Sequence, residues 1–183
     1  SSLKIIRIGT SGSIQKNIPV DSFLISEFAT GFDSLLHFYK SDHIQYQDIS
    51  DALILHTNWS KNKSAPYVVK SNSELHKKMS SSKTHNGFTA TNVGFYGPQG
   101  RILRLPIQDN ELNDKLATFN YKGISIANLE METAGIYGLA ALLGHKAISL
   151  NAIIANRPNG NFSKNPKLTV ERLIEYTLDK LVE

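Results

Sequence analysis

Leu3-Lys4-Ile5-Ile6-Arg7-Ile8, followed at once by Gly9-Thr10-Ser11-Gly12, sets the frame for reading the whole chain. Leu and three β-branched Ile within six positions have the composition of a buried strand, and two glycines with hydroxyls between them predict a turn that ends it. A second run, Ala147–Ala155, is almost unbroken in apolar character and reads as a strand covered on both faces. Just before it, Thr133–Leu143 is a helix, with Gly144 as its left-handed cap. Leu168–Val182 spaces Leu173, Ile174, Leu178 and Leu181 as one face of an amphipathic helix. Strands that alternate with helices predict an α/β fold around a sheet.

Working outward, Val20–Phe28 is expected as a strand after the Ile18-Pro19 break, and Phe88–Val93 as another. Residues 29–48 lack periodicity and read as loop. Ser50–Leu55 fits a short helix or strand, Trp59–Pro66 is polar loop, and Val68–Met79 leads into a helix. Leu116–Phe119 is weakly helical and Ser125–Leu129 extended. Apolar residues Phe28, Phe32, Leu35, Leu36 and Phe38 suit either the core or an interface.

The chain has 183 residues, 40% of them apolar and 20% charged, which fits one globular domain over 1–183 and excludes disordered and collagen-like classes. With no cysteine, disulfides, thiolate metal sites and a cysteine nucleophile are excluded. There is no long apolar span and no signal-peptide order at residues 1–9, so no membrane role and a cytoplasmic location are expected. A net charge of +4 is mild. Its densest cluster, Lys77, Lys78 and Lys83, is diluted by hydroxyls and has no flanking aromatic, so a solvated helix end is expected rather than a nucleic-acid surface.

Three constellations have chemical potential. The first is Arg7 to Gly12, where a guanidinium fork and approachable backbone N–H groups suit an anion, although a plain strand-to-turn junction has the same sequence. In Glu130-Met131-Glu132, carboxylates two apart share one side only if the backbone is extended or just entering a helix. Such a carboxylate can accept from two adjacent hydroxyls, as on a ribose; the alternative is acidic residues favouring a helix N-terminus, with Met131 as a core packer. Phe95-Tyr96-Gly97-Pro98-Gln99-Gly100-Arg101 can stack on and hydrogen-bond a flat heterocycle, or be an ordinary surface turn. The six histidines show no paired ligand spacing, so no metal is expected, and there is no Gly-x-Ser-x-Gly elbow. Asp33 and His37, four apart, read equally well as an exposed helical pair.

In this order, and with Ile153-Ile154-Ala155-Asn156-Arg157 near the end, these segments resemble the nucleoside phosphorylase superfamily, most closely its uridine phosphorylase branch. The resemblance implies a three-layer α/β/α fold with a mixed central sheet, incomplete at its N-terminus. It implies Arg7 and Thr10 on phosphate, Met131 and Glu132 on the ribose, and Ser11 and Gly12 at the junction with the base. Phe95, Gln99, Arg101 and Arg157 would contact the base, with Ile153 and Ile154 as an apolar wall. Arg7, Gln99 and Arg101 would serve catalysis. The implied reaction is phosphorolysis of uridine, and perhaps deoxyuridine or thymidine, to the base and (deoxy)ribose 1-phosphate in pyrimidine salvage. No cofactor is implied; inorganic phosphate is the co-substrate. The implied partners are nucleoside, phosphate and further copies of the chain in a dimer or hexamer.

Purine-cleaving relatives place an acid near the position of Asn156, and water-using nucleosidases do not need Arg7. The resemblance therefore favours uridine phosphorolysis over purine nucleoside phosphorolysis. It also makes these residues the C-terminal two-thirds of the family's domain, after a portion that supplies further phosphate arginines. If the polypeptide starts at Ser1, a nucleoside-binding but catalytically inactive fragment is the remaining alternative.

Overall fold

The computed structural model describes all 183 residues. Its strands are β1 (Lys4–Ser13), β2 (Phe23–Gly31), β3 (Tyr67–Lys70), β4 (Thr84–Thr91), β5 (Asn120–Tyr121), β6 (Ile124–Glu130), β7 (Lys146–Asn156) and β8 (Asn161–Phe162). The helices are α1 (Gln47–Thr57), α2 (Ser73–Met79), α3 (Leu112–Thr118), α4 (Thr133–Leu142) and α5 (Pro166–Val182). The expected α/β architecture with a mixed central sheet is present. Strand order is β3-β2-β4-β6-β1-β7-β8, with β5 beside β6. β2 also pairs antiparallel with β7, from Phe23↔Ala152 to Ile25↔Leu150, so five strands curl into a closed ring.

The glycines of β1 do not make the expected turn. The strand continues to Ser13 because parallel pairing with β7 runs from Lys4↔Lys146 to Ser13↔Asn156, and this ladder outweighs local turn preference. The irregularity is a register shift between Ser11 and Gly12, a bulge that re-aims side chains near the strand's end. β2 begins later than Val20 because Asp21, at φ 64°, makes a turn there. Val68–Met79 does lead into a helix, which begins at Ser73, but Val68 itself belongs to a buried strand, β3. Residues 29–48, expected as loop, contain the end of β2, two 3-10 turns and the start of α1.

Helices cover the sheet in patches. α1 and α3 close a core that includes Phe28, Phe32, Phe88 and Phe119; α2 and α5 close one around Ile148, Leu150 and Leu173. α4 closes a third around Leu36, Tyr67 and Tyr137. Phe28, Phe32 and Leu36 are therefore core, whereas Phe38 is 81% exposed. The Gly144 cap is present at φ 71°. Lys77, Lys78 and Lys83 are exposed at the end of α2 and in the following turn. No helix is long and apolar enough to cross a membrane.

Candidate active site

β6 runs antiparallel to β1 from Gly12↔Leu129, so its continuation heads back alongside Arg7. There Arg7 Nη2 meets Glu132 Oε2 at 2.5 Å and Glu130 Oε2 at 3.2 Å. Both carboxylates serve one guanidinium, and the backbone has the geometry this requires: Glu130 ends β6 and Glu132 precedes α4. Glu130 also fulfils the helix-terminus reading. Its Oε2 accepts from the backbone N–H of Glu132 and of Thr133, and its Oε1 from the Thr91 hydroxyl. Met131 is 39% exposed, so it does not pack in the core.

Arg7 Nη1 donates to Ser149 Oγ and Asn151 Oδ1, two polar residues of β7. From Asn151 a chain of buried hydrogen bonds crosses the strand ring. Asn151 Nδ2 donates to Ser26 Oγ at 3.1 Å, Ser26 bonds Thr89 at 2.5 Å, and Thr89 donates to Asn128 Oδ1 at 2.8 Å. Asn128 Nδ2 then donates to Ser11 Oγ at 2.9 Å. Because Thr89 donates onward, Ser26 must donate to Thr89, and the chain has one direction from Arg7 to Asn128. Ser11 accepts from Asn128, which leaves its own proton free. None of Ser26, Thr89, Asn128, Ser149 and Asn151 was singled out from the sequence. The available signal was the polar pair Ser149 and Asn151 inside an otherwise apolar run.

A second cluster forms where the 95–101 loop meets the end of β7. Gln99 Oε1 accepts from Arg101 Nη1 at 2.8 Å and from Arg157 Nη2 at 2.7 Å, while Arg157 Nη1 reaches the Gln99 carbonyl at 2.6 Å. Arg101 lies 3.8 Å over the Phe95 ring and bonds the Phe95 carbonyl. Both lone pairs of the Gln99 amide oxygen are thus taken, and what remains to offer is N–H. No carboxylate lies within ion-pair distance of Arg101 or Arg157. Burial first, and the charge of Arg101 second, pull the Arg157 guanidinium down to about 10. Burial lowers Arg101 as well.

Gly12 belongs with this cluster: a Cβ there would stand 3.4 Å from Arg157 Nε. Thr10 is exposed on β1, and its hydroxyl is hydrogen-bonded to neither cluster. Ile153 does not form the expected wall. It is fully buried among Ile18, Leu24 and Ala127, while Ile154 is partly buried against the α2–α5 core. Asn156 is turned inward, donating to the carbonyls of Gln15 and Ile18 and accepting from the Asn159 N–H. Asp33 and His37 do not pair: Asp33 accepts from Tyr67, and His37 bonds the Ala65 carbonyl.

The fold and these clusters define an α/β protein with an arginine–carboxylate centre beside a cationic, amide-bearing loop. The family profile described as the phosphorylase superfamily matches residues 2–181, and the chain belongs to that superfamily. A DeoD-type purine nucleoside phosphorylase of Colwellia psychrerythraea is 26% identical over 98% of this chain and 64% of its own length. One from Buchnera aphidicola (subsp. Schizaphis graminum) is 29% identical over 80% of this chain and 49% of its own. A nucleoside phosphorylase of Trypanosoma brucei, described as showing uridine phosphorylase activity, superposes with a TM-score of 0.83 at 23% identity, over 98% of this chain and 63% of that one. A uridine phosphorylase structure from Phytophthora capsici gives a TM-score of 0.62 at 19% identity, over 100% of this chain and 66% of that one. The chain thus spans about half to just under two-thirds of the length of the curated relatives it matches.

Proposed function

We propose that the protein cleaves uridine with inorganic phosphate, giving uracil and ribose 1-phosphate, without a cofactor, and that residues 1–183 form the C-terminal two-thirds of its nucleoside phosphorylase domain. The observation that carries this reading is the base-side cluster, where Gln99, Arg101 and Arg157 offer donors only and no acid stands beside them. Uracil presents two carbonyl oxygens, and as it leaves it carries the electron pair of the broken C1′–N1 bond, spread onto those oxygens. Two half-buried guanidiniums without a counter-ion are preorganised for that charge. Arg7, with Thr10, holds the phosphate whose oxygen attacks C1′, and Glu132, assisted by Met131, accepts from the ribose hydroxyls. Phe95 packs on the base, and Ser11 supplies its free proton at the junction. Arg7 now holds Glu132, so phosphate taking the guanidinium releases that carboxylate to the sugar.

A purine reading is favoured by the DeoD-type names of the curated relatives. Purine departure is helped by an acid that protonates the ring, and Asn156 is an amide committed to backbone carbonyls. Initial rates with uridine, thymidine, inosine and adenosine, with and without phosphate, test the choice. Phosphate-dependent uridine cleavage exceeding inosine cleavage is expected; inosine turnover with inert uridine contradicts the reading.

A further inference from the structure

Behind the 95–101 loop lies a second cavity, of about 690 Å3. The loop has two faces. Phe95 and Gln99 belong to the base cluster, whereas Tyr96 lines the cavity; Arg101 alone serves both. None of Arg7, Glu130, Glu132, Gln99 or Arg157 reaches the cavity, so it adjoins the proposed nucleoside site through Arg101 alone. Its volume is in the range of small-molecule sites.

Two properties of the walls select an occupant. The first is flat aromatic surface: Phe32 and Trp59, with ring centroids 4.7 Å apart, and Tyr96 from the loop. The second is charge. Lys63, Arg101 and Arg104 line the cavity with a single acid, Asp109, which Lys115 already holds through both carboxylate oxygens at 3.1 and 3.2 Å. Neither Lys63 nor Arg104 has a carboxylate within ion-pair distance. Lys63 sits 4.8 Å from the Trp59 ring centroid, so a cation stands where the aromatic floor meets solvent. An aromatic body with an anionic group satisfies both properties, whereas a neutral body leaves the cations unmatched and a bare inorganic anion leaves the floor uncovered.

We propose that this cavity is a binding site for a small aromatic anion, its ring system on Trp59, Phe32 and Tyr96 and its carboxylate, sulfonate or phosphate on Lys63 and Arg104. Trp59 is the protein's one tryptophan, so its emission reports occupancy directly. The test titrates the protein with 8-anilinonaphthalene-1-sulfonate and with N-phenyl-1-naphthylamine, the same body without the sulfonate, and follows Trp59 emission. Saturable quenching by the sulfonate is expected. Lys63→Ala combined with Arg104→Ala weakens sulfonate binding about tenfold and shifts the neutral probe less than about twofold. Both residues are exposed, and circular dichroism checks that the variant keeps its fold. Sulfonate binding indifferent to the double variant, neutral probe bound as tightly as the sulfonate, or Trp59 emission unmoved by either probe would each overturn the proposal. None of these readouts depends on nucleoside turnover, so the outcome stands apart from that of the uridine reading.

Discussion

Arg7 is held by four side chains, and its position also depends on the residue two places on. A Cβ at Gly9 would lie 2.6 Å from the Arg7 guanidinium, so the arginine folds over a backbone that must be bare. Gly9→Ala is expected to raise the KM for phosphate by about tenfold or more and to lower stability by about 1–3 kcal/mol, since a displaced guanidinium leaves Glu130, Ser149 and Asn151 without that partner. Steady-state kinetics at varied phosphate, beside a melting curve, check this. On the base side, Arg157→Ala removes one of the donors facing the departing uracil. Its expected cost is about 10²–10³ in kcat for uridine, with a smaller effect on KM. The Arg7–Glu132 pair predicts, further, that uridine binds more tightly in sulfate, a tetrahedral anion that occupies the guanidinium without cleaving the nucleoside, than in chloride. Calorimetric titration in the two buffers reads that difference, and equal affinities would show that Glu132 needs no release.

Among the elements, β7 has the most to explain. Its apolar character makes it legible as a buried strand, but Ser149 and Asn151, which interrupt the run, both bond Arg7, and Ser149 also bonds Thr133 at the start of α4. That pairing depends on a register with β1 which no local pattern encodes. The same is true of β1, whose glycines look like a turn until β7 lies beside them. β3 escaped notice because four residues are too few for periodicity to distinguish a strand from a helix entry. Asn151→Leu is expected to destabilise the fold by about 1–3 kcal/mol, since Ser26 and Arg7 each lose a buried partner, and to reduce turnover as well. Denaturant unfolding measures the first effect.

The segment that follows β8 is tied to α5 through Asp21. This carboxylate accepts from Ser163 and Thr169, and those bonds hold it below its ordinary 3.8. A depressed carboxyl contributes stability above its unfolded value and loses it as pH falls through the folded one. Asp21→Asn is therefore expected to be less stable than the wild type at neutral pH, by about 1 kcal/mol or less for so exposed a group. The gap should close below about pH 4 as wild-type Asp21 protonates. A gap that stays constant down to pH 3 would mean that the carboxylate charge contributes nothing there.

At the scale of the whole molecule, ring closure by β2 and β7 brings polar residues of five strands into one buried chain of hydrogen bonds between Arg7 and Ser11. Arg7, Glu132 and the Phe95–Arg101 loop were legible through the order of the motifs and the resemblance it carries, since each motif alone fits a strand junction, a helix start or a surface turn equally well. The motifs did not reveal that Gln99 and Arg157 would meet, as this depends on where the 95–101 loop folds against the end of β7. Nor did they show Ile153 turning inward. The central claim is that this meeting creates a base site made only of donors. Calorimetric titration of the protein with uracil and with hypoxanthine, in phosphate, tests it most directly. The account predicts uracil binding that weakens about a hundredfold in Arg157→Ala, and hypoxanthine binding weaker than uracil's. Hypoxanthine bound more tightly than uracil, or uracil indifferent to Arg157, would contradict it.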